Sequence, residues 1–170
     1  MDVSDLLTET YDRLPDLVRA AVDGLTPEQL RRAPGPGANP VGWLVWHLTR
    51  VQDDHLADVM GTDQIWVTGD WAGRFGLAVA DPHDTGYAHT AEQVAAVRPE
   101  SAQALLDYHE AVHTRTRTFL AGLRPADLDR VVDEAWDPPV TLGVRLVSVA
   151  EDDLQHVGQA AYVRGLVEAD

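Results

Sequence analysis

The sequence predicts an all-α fold, a four-helix bundle, on three observations. Apolar residues recur at helical spacing through four long segments. No stretch shows the apolar–polar alternation of a half-buried strand. The break from Thr62 to about Arg98 is the one long connection, and it falls between the second and third helices. At 170 residues the chain fits one domain, spanning 1–170, with enough length to bury a real core.

The first helix carries Val3, Leu6, Leu7, Leu14, Leu17, Val18, Ala21 and Leu25 on its apolar side, and Pro15 bends or breaks it. Thr26-Pro27-Glu28-Gln29 has the form of a capping box with proline at the first helical position. A loop, Ala33 to Ala38, follows. Asn39 caps the second helix, whose inner face runs Leu44, His47, Leu48, Val51, His55 and Val59, and Gly61 closes it. Within the long connection, Thr90-Ala-Glu-Gln93 caps one short helix. The third helix runs from about Glu100 to Gly122. A polar link, Asp133 to Pro139, leads to the fourth, from about Thr141 to Val167, with Leu142, Leu146, Val149, His156, Ala160 and Val163 as its core stripe.

Composition excludes several classes of chemistry. The chain has no cysteine, which removes disulfides, cysteine-ligated zinc and a cysteine nucleophile. All of its basic residues are arginine, so Schiff-base chemistry on lysine is excluded as well. A net charge of -15 argues against nucleic-acid phosphates and anionic membranes as partners. No apolar run approaches membrane-spanning length. The acidic start lacks the layout of a signal peptide, and the expected location is cytoplasmic.

Asp152 and His156 stand four residues apart on one face of the fourth helix, and His47 lies on the apolar side of the second. Each histidine alone reads as an ordinary core residue satisfied by one hydrogen bond. Two inward histidines on different helices with a carboxylate one turn away read as a metal site. Two imidazoles and a carboxylate leave coordination positions open for water or substrate. Asp153 is the alternative carboxylate should the helix be phased differently. His109 and His113 form a second i, i+4 pair, with His109 facing solvent and His113 nearer the core, where it is a candidate general base. Asp54 or His55 leans toward the site or lies on a solvated face. His83 and His89 read as surface. Trp43 and Trp46 flank His47, and Trp66, Trp71, Trp136 and Tyr162 wall a pocket or serve as core and loop anchors.

Pro40-Val-Gly-Trp-Leu-Val-Trp-His47-Leu, together with Asp153-Leu-Gln-His156-Val-Gly-Gln159 and Arg164-Gly165, resembles the DinB / YfiT superfamily over nearly the whole chain. The nearest branch is that of DUF664-type and DinB_2-type members, close to the mycothiol-dependent enzymes. The resemblance implies an up-up-down-down bundle, often a homodimer, with a divalent metal (Zn, Ni, Mn or Fe) held by three histidines. One of these comes from the second helix and two from a His-x-x-x-His turn of the fourth. His47 and His156 match the outer pair, and Asp152 stands where the middle histidine is expected. Either the aspartate ligates and shifts the site toward harder metals, or the site is degraded and Asp152 only hydrogen-bonds His156. The implied activity is transfer or addition of a low-molecular-weight thiol, such as mycothiol, to a small-molecule substrate. His113 would serve as proton acceptor and Arg164 as a hold for an anionic group of the cofactor. The competing reading is a non-catalytic binding or stress-response protein.

Overall fold

Helices, not strands, make up the core, as the spacing predicts. A computed structural model of the chain describes residues 1–168. The first predicted helix is two: α1 (Val3–Tyr11) and α2 (Leu14–Val22), with Pro15 in the first turn of α2 where its missing N–H costs nothing. Thr26 caps α3 (Pro27–Arg31) with the reciprocal bonds of a capping box. The long helices are α4 (Val41–Met60), α8 (Ala102–Ala121) and α9 (Leu142–Glu168). Between α4 and α8 lie three short helices, α5 (Ile65–Thr68), α6 (Trp71–Arg74) and α7 (Ala91–Ala96), the last capped by Thr90 as its sequence predicts. Asn39 does not cap α4. Pro40 holds that position with no side-chain bond, its ring having already fixed the extended entry.

Two features depart from the sequence expectation. Val131–Asp133 (β1) and Val140–Thr141 (β2) pair as a small antiparallel hairpin, too short to leave a period in the sequence. The helix directions are also not up-up-down-down. Tyr11 donates to the Leu146 carbonyl and Arg164 to that of Ala20, so α1–α2 and α9 run parallel. Ser4 reaches the Leu120 carbonyl while Asp12 meets His113, so α8 runs against α1. His47 meets His156 and His55 meets Arg145, so α4 runs against α9. The order is up-down-down-up. Its two parallel neighbours, α4 and α8, need a connection that travels the length of the bundle, roughly 30 Å for a 20-residue helix. That requirement accounts for the 62–98 segment.

The segment does more than return the chain. It wraps the outer side of α4, so that residues 41–50 are buried all round. Polar residues that helical phasing would leave in solvent are therefore interior. Arg50 and Asp53 are both fully buried. Arg50 donates Nε to the Asp84 carbonyl (3.0 Å) and Nη2 to the Pro82 carbonyl (3.0 Å) and Gln64 Oε1 (2.8 Å). Nη1 reaches Tyr108 Oη at 3.2 Å, and the guanidinium lies 5.1 Å over the Trp66 ring. Asp53 accepts from the Ile65 and Trp66 amides, from Tyr108 Oη at 2.8 Å and from Arg115. Among the described residues, no helix is long and apolar enough to cross a membrane.

Replacing Asp53 by alanine would leave Arg50 buried without its counter-charge. Asp53→Ala is expected to lower the unfolding free energy by about 3–5 kcal/mol, read by urea denaturation. A loss below about 1 kcal/mol would mean that the carbonyl bonds alone satisfy the guanidinium.

Candidate metal centre

His47, at the middle of α4, and Asp152 and His156, one turn apart on α9, each place a ligating atom within 4.8 Å of the others. Among the described residues this is the one such group of histidine and carboxylate side chains. The rings of His47 and His156 meet edge to face, with centroids 4.6 Å apart. His156 Nε2 lies 3.5 Å from Asp152 Oδ1.

Hydrogen bonding fixes which nitrogens face inward. His47 Nδ1 contacts the Thr85 carbonyl, which can only accept, so Nδ1 carries the hydrogen and Nε2 keeps its lone pair. His156 Nδ1 lies 3.0 Å from Gln159 Oε1, and the same assignment leaves its Nε2 free toward Asp152. Asp152 Oδ2 is buried without a hydrogen-bond partner among the described residues. Two imidazole lone pairs and a carboxylate with an unsatisfied oxygen form a donor set that fits a divalent cation.

The inner wall is aromatic. Trp43 lies flat on His47, 4.7 Å away and tilted by 14°. Trp43 Nε1 donates to His89 Nδ1 at 3.2 Å, and the Trp46 ring stacks on the other side of His89. Gly86 passes close over the site with φ +92°, and a Cβ there would stand 2.9 Å from both His47 Nδ1 and Trp46. His156 and Asp152 are half-buried, so the site opens along the α9 edge. Burial holds the His47 pKa below its ordinary value, while Asp152, which accepts from Nε2–H of the protonated ring, raises that of His156.

The neighbouring Asp153 points away from the triad. It is fully buried with both oxygens unpartnered, and burial next to charged Asp152 raises its pKa well above the carboxylate range. Asp153 lies in the core and outside the group of ligating atoms that His47, Asp152 and His156 form, which speaks against it as the alternative ligand. His55 is half-buried at the outer end of the same groove, with Nδ1 against Arg145 at 3.2 Å. Asp54 accepts from Gln64 at 2.7 Å.

Several expectations need correcting. His113 does not reach the triad, because α8 aims it at Asp12, 3.2 Å away across the α1–α8 groove. That groove, a cavity of about 720 Å³ lined also by Glu110, Thr114 and Arg117, holds none of the three residues. His109 faces the core rather than solvent, because the α8 inner face is broad enough to take it, and the pair with His113 forms no ligand cluster. Arg164 donates to the Ala20 carbonyl and to Glu168, fastening the end of α9 to α2 rather than lining the site. His89 is not a surface residue, since its side chain is only 6% exposed under the Trp43 edge. Of the two readings of the tryptophans, the core anchor holds for Trp66, which packs on Phe75 and Tyr108, and for Trp71, which packs on Tyr108, whereas Trp136 and Tyr162 are exposed. His83 is exposed, as its loop position implies. Sequence reasoning missed Thr85, Gly86 and His89 as neighbours of the site, because a carbonyl, a glycine and a loop histidine show no spacing relation to a helix face.

Burial pushes the His109 pKa down to about 3. Below the ordinary histidine value of about 6.5, the unfolded chain binds a proton that the folded chain refuses, so stability falls as pH falls from 6.5 toward 3. His109→Leu is expected to flatten the stability–pH curve between about pH 6 and 4, by up to about 1.4 kcal/mol per pH unit. Parallel curves for parent and variant in urea titrations would contradict this.

No functionally curated protein matches the chain. The crystal structure of a conserved protein from Enterococcus faecalis matches with a TM-score of 0.91 and 34% sequence identity, over 100% of this chain and 99% of that one. Residues 10–160 match the DinB superfamily, a stretch that takes in α4 and the Asp152–His156 turn, and the chain belongs to that superfamily.

Proposed function

We propose that this protein is a divalent-metal-dependent enzyme that transfers or adds a low-molecular-weight thiol, of the mycothiol type, to a small electrophile. The observation that carries the metal part is the convergence of two Nε2 lone pairs with a carboxylate whose buried oxygen has no partner. Membership of a generally metal-binding superfamily supports it. The thiol part rests on the resemblance to the mycothiol-dependent branch, and the absence of cysteine is compatible with it, because the sulfur then comes from the small molecule.

In this reading His47, His156 and Asp152 hold the cation, and Zn, Ni, Mn and Fe all suit the mixed nitrogen–oxygen set. A bound cation would supply Lewis-acid stabilisation of a thiolate, lowering the thiol pKa toward neutrality. The protein's own groups do the rest. Thr85 and Gln159 keep the two Nδ1 hydrogens engaged, so that Nε2 of each ring faces inward. Trp43 and Trp46 keep water from the inner side, and the half-exposed α9 edge admits the reactants. His156 must release its proton before its Nε2 can ligate. Because Asp152 raises its pKa, metal uptake should weaken as pH falls, and at a higher pH than an ordinary histidine ligand would set.

Metal analysis of chain purified without chelator tests the reading. About one divalent ion per chain is expected, with uptake abolished in His47→Ala and His156→Ala and weakened on the order of tenfold or more in Asp152→Ala. The loaded chain should then consume a low-molecular-weight thiol in the presence of an electrophile, and the metal-free chain should not. Less than about a tenth of an ion per chain after adding Zn, Ni, Mn and Fe in turn would instead support a degraded, non-catalytic site.

A further inference from the structure

Asp84 belongs to the connection over α4, and its two Oδ1 contacts lead by separate routes to the same imidazole. Oδ1 accepts from the Gly86 amide at 3.0 Å, closing the Asp84–Gly86 turn that aims the Thr85 carbonyl at His47 Nδ1. The same oxygen accepts from His89 Nε2 at 2.7 Å. Trp43 Nε1 can only donate, so His89 Nδ1 accepts from it and Nε2 carries the hydrogen that Asp84 receives. That chain of bonds holds the edge of Trp43, whose face lies parallel to the His47 ring. The backbone carbonyl of Asp84 is itself held by Arg50, three residues beyond His47 on α4, which ties the turn to the helix it serves.

We propose that Asp84 is a positioning residue for His47, fixing both its tautomer through Thr85 and its ring plane through His89 and Trp43. The role rests on the metal reading above and sharpens it, since His47 can ligate through Nε2 only while Nδ1 keeps the hydrogen. With the turn released, a neutral imidazole distributes between its two tautomers and turns about its Cβ–Cγ bond. Asp84 is about one-third exposed, so its effect comes from geometry more than from charge. Gly86 fits the same design: the amide that Asp84 holds belongs to a residue with no room for a side chain.

Three variants test it, with Zn²⁺ titration and the ¹⁵N NMR signature of the His47 ring in the metal-free chain as readouts. Asp84→Ala removes both acceptor contacts. Zn²⁺ affinity should fall on the order of 10–100-fold, and His47 should change from a single Nδ1–H tautomer to a mixture, at unchanged helix content. Asp84→Asn keeps an acceptor oxygen and should restore most of the affinity and the parental ring signal. His89→Ala cuts only the Trp43 route, so affinity should fall less while the tautomer stays Nδ1–H. If Asp84→Ala fails to fold, the asparagine and His89 variants carry the same comparison. Parental affinity and a parental ring signal in Asp84→Ala would overturn the role of Asp84. If the parent chain takes up no Zn²⁺, the metal reading falls by itself, and the metal-free signature then decides alone. A mixed tautomer in Asp84→Ala sustains the positioning role, and an unchanged one refutes it.

Discussion

A guanidinium buried beside α4 sets the terms for everything on that side of the bundle. Arg50 is out of contact with water, and a buried charge persists only where it is paired and its donors are satisfied. Asp53 supplies the counter-charge, while Gln64, Pro82 and Asp84 supply acceptors from the connection. The connection thus cannot leave α4 without stranding a charge in the core. A 37-residue return (62–98) that could have been a loose strap is held at several points along one helix.

The candidate centre inherits that arrangement. The Asp84 carbonyl that satisfies Arg50 belongs to the turn that faces His47, and the turn lies within one helical turn of the ring it contacts. On the opposite side α9 contributes two adjacent carboxylates in contrasting surroundings. Asp152 is half-exposed and faces two imidazoles, whereas Asp153 is sealed in the core, where burial raises its pKa. One residue of helical phase separates a candidate ligand from a core filler, because successive side chains on a helix point about 100° apart.

Much of the bundle was legible because helices write a 3.6-residue period into the sequence. The four long segments, the break near Pro15 and the caps at Thr26 and Thr90 all rest on local rules. His47, Asp152 and His156 were legible as one face each of two helices, although their meeting in space required the antiparallel docking of α4 on α9. What the sequence left hidden depends on long-range contact. Helical phasing assigns Arg50 and Asp53 to solvent, and only the connection folding over them reverses that. His113 and Arg164 sit at plausible phases but on faces that the helix directions turn elsewhere. The β1–β2 hairpin is made of pairs too few to outweigh the prolines and aspartates between them.

The aspartate at position 152 also alters the sum of charges at the triad. Three neutral imidazoles around a divalent ion would leave a residue of +2, whereas two imidazoles and a carboxylate leave +1. An incoming monoanion would then bring such an assembly to zero, the state cheapest to enclose beside tryptophan rings. With a divalent ion held there, position 152 would set the charge of the ligand that completes the site: a singly charged species would neutralise it, and a dianion would overshoot.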